Sequence, residues 1–149
     1  MKRNFLFAAL LSVFAVSVAN ADILERNRII TKEQLPTEAK QFIDKHFAGS
    51  KISYIKEEHD FLEKTFEVVF SDASKVEFSR DGVWKEIDCR NAQVPSAVVP
   101  DEIERYIAEH YGDKKILQIE RDRYDYEVRT SNRLELTFDK NLNIIDIDD

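Results

Sequence analysis

Apolar residues fall at Ala39, Phe42, Ile43 and Phe47, the i, i+3, i+4, i+8 stripe of an amphipathic helix, and again at Ile103, Tyr106, Ile107 and Tyr111. Pro36 and Pro100 suit the first position of each helix, while Gly49 and Gly112 supply the stops. Glu38 complements the start of the first helix, Lys45 and His46 its end, and Asp101 and Glu102 the start of the second. Ahead of the first helix, Thr31-Lys32-Glu33-Gln34 has the spacing of a capping box and predicts one turn, which Pro36 ends. The lead from Asp22 to Ile30 is of mixed charge, has no clear period and predicts no element.

After each helical stripe the period changes to two. The alternation predicts strands over 51–57, 65–70, 75–79 and 83–88, and over 115–121, 126–130, 134–138 and 143–148, joined by polar turns of the antiparallel hairpin kind. One side of these strands is apolar and needs a helix over it: Phe66, Val68, Phe70, Val76, Phe78 and Ile87, then Tyr126, Val128, Leu136, Phe138, Ile145 and Ile147. The other side carries Glu67, Val69, Lys75, Glu77, Trp84 and Glu86, then Glu127, Arg129, Glu135, Thr137, Ile144 and Asp146. If the two sets of strands join edge to edge, that second side is one broad, mostly acidic surface without a helix.

The second half reads as a copy of the first. Leu35-Pro36, Phe42-Ile43, His46-Phe47, Ile52 and Ile55 recur 64 positions on as Val99-Pro100, Tyr106-Ile107, His110-Tyr111, Ile116 and Ile119. From Phe66 onward the offset is 60, so Phe66-Glu67-Val68 matches Tyr126-Glu127-Val128 and Ile87-Asp88 matches Ile147-Asp148. The change lies between Ile55 and Phe66 and predicts a longer hairpin loop in the first copy. The fold class is therefore α+β: a tandem duplication of a helix-plus-four-stranded antiparallel unit, helices on one face and an open sheet on the other. The organisation is a leader over 1–21, a first repeat over 22–90 and a second over 91–149, forming one combined domain.

Lys2 and Arg3, the apolar run Phe5–Val18 and Ala19-Asn20-Ala21 have the three parts of a cleavable secretory signal, with cleavage before Asp22. That run is shorter than the roughly 20 residues that span a bilayer, so no stable membrane insertion is expected after cleavage. Removing the leader takes away Lys2 and Arg3 and no acidic residue, which moves the net charge from -7 to -9. Such a balance argues against nucleic acid as a partner, since phosphates need a basic stripe, and disfavours anionic membranes. Cys89 is the single cysteine and allows no intramolecular disulfide; its phase, shared with Ile87, predicts a buried, inert thiol.

Catalytic chemistry finds little support. His46 and His110 sit on the apolar stripes near helix ends, where packing and hydrogen bonding to free carbonyls explain them. His59, among Glu57, Glu58 and Asp60, is placed in the longer loop without a second imidazole to complete a metal site. Asp139-Lys140-Asn141-Leu142-Asn143 opens like a calcium loop but lacks glycine at its sixth position, and it matches the polar turn Ser79–Val83. Ser71 and Ser74 belong to a turn, and three glycines in the chain make no phosphate cradle. No enzyme activity, metal or cofactor is expected. Trp84 is either a partner-binding anchor or is covered by the other copy, the linker 89–98 or a second molecule.

Leu35-Pro36, Ile43-Asp44-Lys45-His46-Phe47, the run Val76–Asp88, Val94-Pro95, Val99-Pro100 and Phe138-Asp139-Lys140-Asn141 resemble the PepSY-like, beta-lactamase-inhibitor-like family of secreted Gram-negative proteins. The chain departs from the family pattern at Ala73 and Arg133, where a hairpin glycine is usual, and at Ala48, where proline is common. The resemblance implies a tandem architecture like that of the beta-lactamase inhibitory protein, whose curved sheet grips its target. The expected function is a non-enzymatic periplasmic module that binds another envelope protein through Trp84, Val69, Glu67, Glu77, Glu86, Glu127, Arg129, Ile144 and Asp146, inhibiting or modulating an envelope enzyme in one version. The alternative is a small-ligand or divalent-cation binder on the acidic face.

Overall fold

The computed structural model describes residues 27–149; the leader reading over 1–21 lies outside them. The described chain is a single nine-stranded antiparallel sheet with strands in sequence order, plus two helices. The elements are β1 (Asn27–Ile30), α1 (Thr37–His46), β2 (Ile52–His59), β3 (Lys64–Phe70), β4 (Lys75–Ser79), β5 (Trp84–Asp88), α2 (Asp101–Tyr111), β6 (Ile116–Arg121), β7 (Asp125–Thr130), β8 (Glu135–Asp139) and β9 (Ile144–Asp148). A short 3-10 turn precedes each helix, at Lys32–Gln34 and Ser96–Val98. In the first of these, Gln34 Oε1 accepts the Thr31 amide at 2.9 Å, as the capping-box spacing requires.

One register row crosses all nine strands: Ile30, Ile55, Val68, Val76, Ile87, Ile119, Val128, Leu136 and Ile147. All but the edge residue Ile147 are buried. β-branched side chains fit the pleat, and each one covered contributes on the order of 1.5–3 kcal/mol of transfer free energy. Both helices lie over this face, and the same contact seats each of them. Phe42 of α1 meets Phe78 edge-on with ring centroids 5.6 Å apart, and Tyr106 of α2 meets Phe138 at 5.5 Å. The two halves join through β5 and β6, with Glu86, Ile87 and Asp88 opposite Glu120, Ile119 and Gln118.

Four readings of the sequence need correction. The lead holds β1, an edge strand on β2, because Ile30 reaches the apolar row opposite Ile55 and Arg28 pairs with the buried Glu57. The four extra residues of the first half lengthen its hairpin and leave its loop alone. Four residues separate the last pair His59–Lys64, as four separate Arg121–Tyr126, and Glu58–Thr65 and His59–Lys64 are added rungs. Trp84 and Ile144 lie on the helix face. A bulge at Lys85 makes Trp84 pair with Phe78 while Glu86 still pairs with Glu77, and the same register shift at Ile145 puts Ile144 opposite Phe138. For the same reason Ile145, assigned to the core, is 58% exposed.

Turn chemistry is equally constrained. Ala73 and Arg133, the departures from glycine, keep left-handed backbones with φ of 67° and 70°. Gly82 has φ of 86°, and a Cβ there would stand 2.8 Å from the Ala39 amide nitrogen and 2.9 Å from Pro36 Cβ, against the start of α1. Leu142 takes nearly the same backbone, φ 64°, yet packs its side chain against the core. In chemical denaturation Gly82→Ala should therefore lower stability by about 2–4 kcal/mol. Ala73→Gly, which relieves a left-handed alanine, should change it by no more than about 1 kcal/mol, and in the favourable direction.

Candidate functional site

The helix-free face is organised by a second register row, one residue out of phase with the apolar one. It runs Lys56, Glu67, Glu77, Glu86, Glu120, Glu127, Thr137 and Asp146, so five adjacent strands from β3 to β7 each present a glutamate in line. The next row holds Tyr54, Val69, Lys75, Asp88, Gln118, Arg129, Glu135 and Asp148. Of the residues expected on this face, Glu67, Val69, Glu77, Glu86, Glu127, Arg129 and Asp146 are there. The pleat brings them onto one surface; the bulges remove Trp84 and Ile144 from it.

Like charges directly opposite across a ladder destabilise a sheet, so the balancing groups matter. On the first half lysines interleave with the row. Lys56 lies 3.5 Å from Glu67, Lys75 3.9 Å from Glu67 and 3.5 Å from Glu86, and Lys85 3.7 Å from Glu77. Gln118 Nε2 also donates to Glu86 at 2.7 Å. Towards β6 and β7 this bracing stops, since no ion pair among the described residues reaches Glu120 or Glu127. Arg129 turns instead to Asp88, at 3.5 Å.

Protonation follows from this imbalance. Burial, then the carboxylates of Glu86, Glu77 and Asp122, pushes Glu120 up. Burial also pushes Glu127 up, to about 7, with Glu120, Glu135, Asp125 and Asp148 adding to it. Glu77 is raised by burial as well, which outweighs the opposing charge of Lys85.

Two groups on the helix face were missed by the sequence reading. Glu57 is 3% exposed, opposite Phe66 on β3. Its carboxylate accepts from Arg28 Nε at 2.9 Å and Lys64 Nζ at 3.0 Å and meets His59 Nε2 at 2.8 Å. Burial alone would raise its pKa, but the hydrogen bonds from His59, Arg28 and Lys64 and the charge of Lys64 hold it down at about 2. Arg121, opposite Tyr126, has its guanidinium 3.9 Å from the Trp84 ring centroid and donates Nε to the Trp84 carbonyl at 2.9 Å. The available signal was phase: Glu57 alternates with Ile55 and Arg121 with Ile119, so both point to the core side.

The remaining candidates are structural in their contacts. The His46 ring lies tilted against Phe42 with centroids 4.6 Å apart, and His110 stacks on the Tyr106 ring at 4.1 Å with Nδ1 2.9 Å from the Tyr106 carbonyl. His59 ends β2 and does not lie in a loop. Asp139 Oδ1 accepts the amides of Asn141 and Asn143, both at 2.9 Å, and closes its own turn. Cys89 is buried, and that burial pushes its thiol up to about 11. Among the described residues no group of three histidine, cysteine or acidic side chains is arranged to hold a metal ion.

A carboxylate whose pKa is raised on folding gives up stability as pH climbs from its unfolded value of about 4.5 to its folded value of about 7. Glu127→Gln should therefore stabilise the protein at pH near 8 by roughly 1–2 kcal/mol, allowing for solvent screening, with the gain vanishing near pH 4. Urea titrations of both proteins at the two pH values measure it. An equal gap at both would show that Glu127 acts through packing.

Relatives share this sheet. A solved structure from Bacteroides thetaiotaomicron, described as a "putative calcium-regulated periplasmic protein", matches with TM-score 0.81 at 48% identity, covering 83% of this chain and 97% of that one. One from Bacteroides vulgatus, a "putative periplasmic protein" of the DUF2874 family, matches with TM-score 0.81 at 44% identity over 87% of this chain and 100% of that one. Another from Bacteroides vulgatus, a "putative periplasmic protein of unknown function", matches with TM-score 0.79 at 35% identity over 83% and 99%. No curated protein matches the chain. Among the described residues no helix is long and apolar enough to cross a membrane. The family model "Putative beta-lactamase-inhibitor-like, PepSY-like" matches residues 64–146, from β3 to within β9, and with these relatives it shows that the chain belongs to the PepSY-like, beta-lactamase-inhibitor-like family.

Proposed function

We propose that the chain is a non-enzymatic periplasmic protein-binding module that engages an envelope protein through its helix-free face, and that it arose by tandem duplication of a helix-plus-four-strand unit, with 22–90 and 91–149 as the repeats. Inhibition or modulation of an envelope enzyme is one form of that engagement. The observation that carries the reading is the line of five glutamates across β3 to β7. A like-charged row on a rigid sheet carries a repulsion that a cationic partner surface relieves, so complementarity sets both encounter rate and specificity. Val69 and the 42% exposed Tyr54 add apolar area beside the row. The periplasmic descriptions of the relatives and the leader over 1–21 support the compartment. The duplication is supported by bulges at equivalent places, Lys85 and Ile145.

Affinity capture from envelope extract, with wild type and a Glu67→Lys/Glu86→Lys variant as baits, tests the face. A partner held by wild type should be lost from the variant and eluted by salt. Equal recovery by both would exclude the glutamate row as the contact.

A second reading is favoured by the relative described as calcium-regulated: the same carboxylates collect a divalent cation, with Glu120 and Glu127, which no ion pair among the described residues reaches, as the groups to gain most. Calorimetry with calcium should then show saturable heat that Glu120→Gln/Glu127→Gln removes. No heat at millimolar calcium would dispose of it.

A further inference from the structure

At the turn-bearing end of the β5–β6 seam, a groove of about 540 Å³ is lined by Trp84, Arg121, Arg123, Tyr126 and Lys140. In an acidic protein it gathers four cations with Lys85; Lys85 is paired with Glu63 and Glu77, while Arg121, Arg123 and Lys140 form no ion pair among the described residues. Arg121 lies on the Trp84 ring, and Lys140 Nζ stands 4.5 Å from the Tyr126 ring centroid with its bond going to the Asp125 carbonyl at 3.2 Å. The two carboxylates at the rim are engaged elsewhere: Glu63 with Lys85 at 3.1 Å, and Asp122 with the amide of Asp125 at 3.0 Å.

The first half shows what this place in the sheet can hold. Opposite Phe66, the register position that Tyr126 takes in the second half, Glu57 puts a carboxylate among Arg28, Lys64 and His59. Lys64 Nζ stands 5.0 Å from the Phe66 ring, as Lys140 does over Tyr126. Around Arg121 the cations and rings are present and the internal carboxylate is not.

We propose that the seam groove binds a carboxylate-bearing segment of another protein chain, whose acidic side chains pair with Arg121, Arg123 and Lys140. The volume exceeds what one carboxylate fills, and the cations lie at the end of β6 and on two different turns, so a run of acidic residues spans them where a single small acid does not. This site is separate from the glutamate row and opposite to it in charge.

Trp84 is the only tryptophan in the chain, so its fluorescence reports on the groove. Titration of the mature chain at physiological ionic strength with a capped oligoglutamate peptide should give a saturable change, and an oligoglutamine peptide should give none. Arg123 and Lys140 are exposed, so Arg123→Gln/Lys140→Gln keeps the fold and should weaken the oligoglutamate response about tenfold. The proposal is overturned by no response to oligoglutamate, by an equal response to oligoglutamine, or by undiminished affinity in the double variant. Saturation by citrate at a lower concentration than by oligoglutamate would overturn the assignment to a protein segment.

Discussion

Everything in this molecule hangs on one row of nine side chains in register, from Ile30 to Ile147. A sheet with a period of two has only two faces, and a one-residue slip in any strand would carry its apolar set to the wrong one. The row therefore fixes the pairing of every strand, the face on which both helices lie and, by exclusion, the face that stays open. The glutamate row is its direct consequence, since the residue beside each member of the apolar row must face the other way.

The price of that arrangement is electrostatic, and the two halves meet it differently. In the first half lysines on β2, β4 and β5 interleave with Glu67, Glu77 and Glu86; in the second Glu120 and Glu127 have neighbours of their own sign. On the helix face the inequality is reversed. Glu57 is surrounded by cations it fully engages, and Arg121 sits with Arg123 and Lys140 beside aromatic rings without an ion pair among the described residues. Two halves with the same register thus carry an anionic sheet face and a cationic seam.

The helices, eight of the nine strands, the hairpin turns and the burial of Cys89 were legible from spacing alone, because amphipathic periodicity is a local property. The family resemblance was legible too. β1 was not: four residues show no period, and Arg28 and Ile30 acquire meaning only when β2 lies beside them. The face of Trp84 was not, because strict alternation from Ile87 places it outward, and one inserted residue, Lys85, reverses the assignment. Ile144 and Ile145 were misassigned by the same step.

The sequence by itself therefore determined the two helices and eight of the nine strands, their order, the acidic balance and seven of the nine residues assigned to the open face. The tertiary structure decided which of them share a row, where the bulges turn Trp84 and Ile144 under the helices, and that Glu57 and Arg121 take equivalent places with opposite charge. The physical reason is that periodicity is written within a strand, whereas register, bulges and the company a charge keeps are properties of two strands at once.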